Sequence, residues 1–424
     1  MTDPVGVTTC YEYDLLERTS RIYSAQGMEV QYRYDENGNR IEKIGEQGFV
    51  GAGNCPLKTT YAYDVRGQLL EERQNTGTES QDTAFRYTYD ASRNRISKES
   101  PEGTTHYQYN EKNQLVSENG IRGRNIFTYS RGGSIIKEEG EFHTRHFIYN
   151  SKNQQVKVTC EDGQTQVNRY DPEGLRYEMK ENEKLFRFIY HRGELLYEEG
   201  KEEQSSYHLG GGTEAICRNK KIYYYHQNEQ LSTALITDDA GEIKNQYQYG
   251  AFGKDLERTE RISNRIGYTG QQYDGVTNQL YLRARFYNPV LGRFMQEDPY
   301  LKDGLNLYAY CRNNPIKYVD PTGFGRTPTD YTQKPQSEWP QSAVVVNNVT
   351  GSPNIPTNNT GFPGWFDKLT TDQLSTLYGN QDVKDIIKAR LRGGREWNIV
   401  ANSVQWKEYG LTAGDIMNNT TATA

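Results

Sequence analysis

The sequence predicts a mainly β protein, an antiparallel ribbon of tandem hairpins, followed by a Pro-rich linker and a small α-helical C-terminal segment. Three observations predict it. A Tyr-Xaa-Tyr-Asp block recurs along the chain, the residues behind each block are turn formers, and no helical periodicity is sustained before about residue 365.

The blocks open with Tyr11-Glu-Tyr13-Asp14, Tyr32-Arg-Tyr34-Asp35, Tyr61-Ala-Tyr63-Asp64 and Tyr87-Thr-Tyr89-Asp90. They loosen to Tyr107-Gln-Tyr109-Asn110, Phe127-Thr-Tyr129-Ser130 and Phe147-Ile-Tyr149-Asn150, then Asn168-Arg-Tyr170-Asp171 and Phe188-Ile-Tyr190-His191, with a late copy at Tyr247-Gln-Tyr249-Gly250. From Asp14 to His191 the spacings are 21, 29, 26, 20, 20, 20, 21 and 20 residues. A period in this range marks a repeat architecture in which each unit needs its neighbours to bury a face.

Aromatic residues at i and i+2 share one face of a strand. The residues that follow, as in Asp35-Glu-Asn37-Gly38-Asn39, Asp64-Val-Arg-Gly67 and Asp171-Pro172-Glu-Gly174, are a tight turn. Asp or Asn bonds its own backbone two residues on, and Gly supplies a positive φ. A second strand comes next, for example Arg40 to Ile44, where Ile41 and Ile44 straddle both faces and the alternation is imperfect.

Composition agrees with a thin layer rather than a thick aliphatic core. Only 34% of the chain is hydrophobic, yet it carries 34 Tyr against 13 Phe, and its mean hydropathy is −0.94. Tyr has an apolar ring and a polar tip, which suits a surface half buried and half wet. A Tyr-rich sandwich of ordinary density is the alternative. The net charge of −6 supplies no field for nucleic acid or an anionic membrane. Five scattered cysteines (Cys10, Cys55, Cys160, Cys217, Cys311) form no CxxC pair, so neither a zinc site nor a disulfide framework is indicated. No stretch reaches the roughly 18 apolar residues of a membrane span, and the N-terminus lacks the basic and apolar regions of a secretory signal. It reads like the inside of a repeat array, so the expectation is a fragment of something longer. No cofactor and no metal are expected.

The Tyr-Xaa-Tyr-Asp blocks resemble the YD repeats of Rhs proteins, wall-associated bacterial toxins, the C subunits of insecticidal toxin complexes, and teneurins. The likeness sharpens downstream: His226 to Asp238 with Gly241, then Tyr247-Gln-Tyr249-Gly250-Ala251-Phe252-Gly253 and Tyr268-Thr269-Gly270-Gln271. Next come Leu280-Tyr281-Leu282-Arg283-Ala284-Arg285-Phe286-Tyr287, Pro289, Gly292-Arg293-Phe294, Asp298-Pro299, Leu305 to Tyr310 and Asn313-Asn314-Pro315, closing on Asp320-Pro321-Thr322-Gly323-Phe324. That series is similar to the Rhs-associated core, and the likeness covers about residues 8 to 325.

The resemblance implies repeats over residues 1–255 and the core over 256–325. It implies a β-strand spiral forming a shell, here a partial one because a dozen units are few, with the core plugging one end. The partners it implies are the chain's own C-terminal segment as cargo, an immunity protein, and a cell-surface or carbohydrate target. It also implies a secreted or cell-surface location.

The Asp-Pro steps at Asp298-Pro299 and Asp320-Pro321 read most simply as turns, because Pro fixes φ and Asp caps the bend. A functional reading requires the two carboxylates to meet. Like charges close together cannot both ionise, so one would hold a proton while the other activates water. In resembling proteins, self-cleavage falls just after a DPxGL-like motif and depends on Asp and Arg residues. Carried over by position, Asp320 and Asp298 are the acid/base candidates, and Arg293 would stabilise a carboxylate or an oxyanion. Asp274 is a further candidate, and the cut lies between Phe324 and Gly325. Phe324 stands where the family usually has Leu.

Behind Phe324 the composition shifts. Residues 326–364 hold six prolines and two Asn-Asn pairs and read as a linker. Residues 365–424 carry amphipathic spacing, as in Asp382 to Leu391. All six histidines precede residue 230, so a His-metal nuclease in this segment is excluded. Lys388 to Ile416 resembles the front of toxin modules found behind such cores, and the expectation is a truncated toxin. The competing function is a carbohydrate- or protein-binding YD-repeat protein without enzymatic activity, with exposed Tyr strands as its platform.

Overall fold

The computed structural model describes residues 8–24, 29–45, 58–75, 82–201, 203–299 and 304–329. Of the expected linker, 326–364, residues 326–329 are described and Thr327–Pro328 is a strand paired with Tyr318–Val319, not linker; the rest of it and the helical segment lie outside these residues. The chain divides into two units, Met1–Gln336 and Ser337–Ala424, and all that follows concerns the first.

Twenty-four strands form one sheet, from β1 (Thr9–Tyr13) to β24 (Asp255–Glu260). Each is antiparallel to its sequence neighbours, as the first hairpins show. The last strand crosses the expected 255/256 boundary between repeats and core. Among the described residues no ladder joins β1 to β24, so the strip is not closed by backbone pairing. It does curl. Arg40 and Lys43 reach Glu229 at 2.7 and 3.0 Å, and Glu72 Oε2 accepts the Ala251 N–H at 2.9 Å.

Each hairpin follows from its block. The Asp64 carboxylate accepts the N–H groups of Arg66 and Gln68 at 2.9 and 2.8 Å. The Gly67 N–H donates to the Asp64 carbonyl at 3.0 Å, with Gly67 at φ +76°. One extra residue is thereby placed at the end of the first strand, and the register of β5 (Lys58–Tyr63) with β6 (Leu69–Asn75) shifts between Ala62 and Tyr63. The same shift recurs at Tyr34, Tyr89, Tyr129 and Tyr149, so the bulge is part of the unit.

The two aromatics of a block do different work. The first is buried, as Tyr32, Tyr87, Tyr107, Phe127, Phe147 and Phe188 show. The second is half-buried in most blocks, and in five of them its hydroxyl donates to the preceding unit. Tyr34 donates to the Thr19 carbonyl at 2.7 Å, Tyr63 to Arg40 at 2.7 Å, Tyr89 to Leu69 at 2.8 Å, Tyr109 to Arg95 at 2.9 Å and Tyr170 to Gln155 at 2.7 Å. Polar tips thus pair where the rings are covered. The residue between the two aromatics faces out, so Ile148 and Ile189 are exposed. In the second strand the inward residues are Arg40 and Glu42 rather than the isoleucines, and Ile41 is exposed.

The core module supplies a small sheet of β25 (Gln272–Asp274), β26 (Gln279–Leu282), β27 (Arg285–Asn288) and β28 (Arg293–Phe294), then a two-stranded pair of β29 (Tyr318–Val319) and β30 (Thr327–Pro328). It packs on the aromatic face: Tyr107, Phe127 and Phe147 share one cluster with Tyr281, Phe286, Leu291 and Met295. The Ile135 N–H donates to the Met295 carbonyl at 3.1 Å. The layer is therefore wet on one face, while the module covers the other.

Candidate functional site

Strands β26 and β27 make a tight hairpin in which Leu282 pairs with Arg285 and Arg283 takes φ +59°. Arg285 is thereby committed to the inside, while Arg283 is half-buried. Arg285 is 2% exposed, and its guanidinium lies 3.6 Å over the Phe294 ring. One of its nitrogens, Nη2, sits 3.2 Å from Asp298 Oδ2 and 3.4 Å from Asp320 Oδ2. Nη1 donates to the Leu307 carbonyl at 3.2 Å and Nε to the Gly323 carbonyl at 2.5 Å.

The two Asp-Pro aspartates thus meet on one arginine, both buried, Asp298 at 6% and Asp320 at 1% exposure. The Asp298 N–H is held by the Leu307 carbonyl at 3.0 Å. Asp320 Oδ1 accepts the N–H groups of Thr322, Gly323 and Gly325 at 3.3, 2.8 and 3.2 Å. That third contact places a carboxylate oxygen on the nitrogen of the Phe324–Gly325 peptide bond. Phe324 itself is 44% exposed, which agrees with a position that accepts Phe or Leu.

The two carboxylates have a cation between them. Arg285 stands between the two and supplies the countercharge. An opposite charge within about 4–6 Å favours the ionised form of each carboxylate. Asp320 gains further from three amide donors, an arrangement an ionised carboxylate satisfies as acceptor.

The remaining predicted residues lie elsewhere. The Arg293 guanidinium donates to the Asn113 carbonyl at 2.7 Å and lies over Tyr109 and Tyr308 at 4.9 and 5.0 Å, so it ties the module to the shell, and the arginine at the aspartates is Arg285. Asp274 forms a fully buried two-point ion pair with Arg176, at 2.5 and 2.9 Å, and accepts from Gln166 Nε2 at 2.7 Å. The sequence did contain a signal for Arg285 and Arg283, namely two arginines inside the apolar run from Leu280 to Tyr287. An arginine there must find a partner once buried. Among the described residues no group of three or more His, Cys, Asp or Glu side chains could hold a metal ion.

Fold and site together define a tandem-hairpin β strip capped by a module that buries an Asp-Arg-Asp cluster. The chain belongs to the teneurin YD-shell family, whose model matches residues 44–316. Among curated relatives, the tRNA3(Ser)-specific nuclease WapA of Bacillus spizizenii is 30% identical over 281 residues, covering 62% of this chain and 12% of that protein. Toxin subunit YenC1 of Yersinia entomophaga is 29% identical over 209 residues, 41% of this chain and 21% of the subunit. Double-stranded DNA deaminase toxin A of Burkholderia cenocepacia is 36% identical over 113 residues, 25% of this chain and 8% of that toxin. Among solved structures, the Photorhabdus luminescens Tc holotoxin pore overlaps 76% of this chain and 21% of that one, with a TM-score of 0.36 and 19% identity. The chain spans only a small part of the length of the relatives it matches.

Proposed function

We propose that this chain is an Rhs-type toxin scaffold that cuts itself once, between Phe324 and Gly325, and so releases the residues that follow as its effector cargo. The observation that carries this reading is the Asp320 carboxylate. It is buried, shares Arg285 with Asp298, and contacts the Gly325 nitrogen at 3.2 Å.

The chemistry is hydrolysis of one amide. Water attacks the Phe324 carbonyl carbon, and Asp320 takes the proton that water loses. The same carboxyl then gives that proton to the Gly325 nitrogen as the C–N bond breaks, leaving a carboxylic acid on Phe324 and an amine on Gly325, which ionise to carboxylate and ammonium. Asp298 holds Arg285 against the site, and Arg285 stabilises the negative charge that develops. The toxin-related names among the relatives support an effector behind the core. An immunity protein as partner and a secreted or cell-surface location belong to the same proposal. The carbohydrate-binding alternative has less to stand on, because the first ring of most blocks is buried rather than displayed.

The purified wild-type chain should run on a denaturing gel as residues 1–324 and 325–424, and the smaller piece should begin at Gly325 by mass spectrometry. Asp320→Asn and Asp298→Asn should each run whole. A wild-type chain that stays intact after purification sinks the proposal.

A further inference from the structure

The arginine next to the site, Arg283, is used by nothing described so far. Among the described residues it has no carboxylate within ion-pair distance. Its contacts are all neutral oxygens: the Gly193 carbonyl, the Gln271 side-chain oxygen at 3.1 Å and the Pro321 carbonyl. Burial pulls its proton affinity below that of ordinary arginine, with Glu194, Tyr281, Tyr190 and Asp320 acting in the opposite direction. Arg283 is half-buried, and a cation drawn partly out of water without a carboxylate is costly, so packing alone gives no reason to keep one.

The reason lies in a register. Arg283 donates to the Pro321 carbonyl, the Ala284 N–H donates to the Thr322 carbonyl at 3.1 Å, and Arg285 Nε donates to the Gly323 carbonyl at 2.5 Å. Three consecutive residues of the hairpin hold three consecutive carbonyls of the segment that leads to the cut. Every contact is to backbone oxygen, so no side chain of residues 321–323 is read. The exception is a side chain that must be absent. A Cβ at Gly323 would meet the Leu282 carbonyl oxygen at 2.5 Å and the Arg285 nitrogen at 2.9 Å, and Gly323 sits at φ +73°, where an L side chain is strained.

We propose that the 283–285 hairpin is a backbone-reading template that sets which peptide bond reaches Asp320, with Arg283 as a positioning residue and Gly323 as the residue that admits the chain. The inference rests on the cleavage proposed above. The three template contacts all fall on residues 321–323, so the choice of bond is made upstream of the cut.

The test follows cleavage during cell-free synthesis of the full chain, sampling the cut fraction with time and mapping the new ends by mass spectrometry. Arg283→Met should cut at least tenfold more slowly and spread its ends over bonds neighbouring Phe324–Gly325. Arg283→Lys should restore part of the rate and the single end. Gly323→Ala should not cut, while Ile189→Ala, on the outer face of the strip, should cut as wild type does. Thermal melting of Arg283→Met in the uncut Asp320→Asn chain separates lost fold from lost register. Two outcomes overturn the template: Arg283→Met cutting at the wild-type rate and bond, or a slow cut at an unmoved single bond with a much lower melting temperature. A wild-type chain that never cuts refutes the cleavage reading instead, so the two failures are distinguishable.

Discussion

Replacing Asp274 by Asn separates the two roles this residue can have. In the structure it is half of a fully buried pair: Arg176 and Asp274 are both 0% exposed, with contacts at 2.5 and 2.9 Å. Arg176 is held further by Gln272 Oε1 at 2.8 Å and lies 4.4 Å from the Tyr281 ring centroid. The amide keeps the shape and removes the charge, leaving a guanidinium in the interior with no countercharge. Breaking such a pair by removing one partner costs about 3–5 kcal/mol, which for a unit spanning Met1–Gln336 is a fall in Tm of roughly 4–7 °C. The assay is thermal melting of Asp274→Asn in the uncut Asp320→Asn background, beside a gel assay of cleavage in the otherwise wild-type chain. The double change Arg176→Met with Asp274→Leu should recover much of the loss, because neither charge is left buried alone. If Asp274→Asn melts like its parent and yet fails to cut, Asp274 belongs to the chemistry, and its reading as a clamp between module and shell is wrong.

Two further outcomes follow from the same structure. Lys43 and Arg40 outweigh burial at Glu229 and hold its carboxyl at about 2, against an ordinary 4.5. A depressed carboxyl contributes stability that is present above the unfolded value and lost as pH falls through the folded one. Acid unfolding should therefore steepen between about pH 4.5 and 2, and Glu229→Gln should flatten that stretch of a Tm-against-pH curve; an unchanged curve would contradict the assignment. In the tyrosine ladder, Tyr63→Phe and Tyr89→Phe each leave a carbonyl of the preceding unit, Arg40 or Leu69, without its donor. Each should cost on the order of 1 kcal/mol, with the two effects summing in the double variant; a loss indistinguishable from zero in urea unfolding would show that water replaces the hydroxyl.

The repeat was legible because everything that makes it is local. The aromatic pair, the Asp that bonds two amides ahead and the positive-φ residue all lie within about eight positions. What was not legible depended on partners far along the chain. Arg40 faces inward because Glu229 waits 189 residues away, so an alternation judged on Ile41 and Ile44 picked the wrong residues. The meeting of Asp298 and Asp320 was read from spacing and likeness, and the structure brings them to a common arginine. Which arginine was another matter. Arg285 and Arg293 stand on adjacent strands, β27 and β28, and only the fold shows that Arg293 turns to Asn113. Asp274 looked like a candidate acid because nothing in the sequence announces Arg176, 98 residues before it.

The tyrosine ladder has a consequence for how such a chain changes over generations. The hydroxyls of Tyr34, Tyr63, Tyr89, Tyr109 and Tyr170 each reach the hairpin before them, so adding or deleting one whole hairpin there remakes a single junction and leaves the others as they were. Half a hairpin would reverse the direction of every later strand and turn its rings to the wrong side. Duplication in whole units is therefore the cheap route to a longer or shorter wall. The tolerance ends where the module docks. At Tyr149 the hydroxyl is buried without a hydrogen-bond partner among the described residues, and in the neighbouring hairpin the Ile135 amide is already bonded to Met295. Units there are tied to one particular occupant, and an extra hairpin would slide the wall past it.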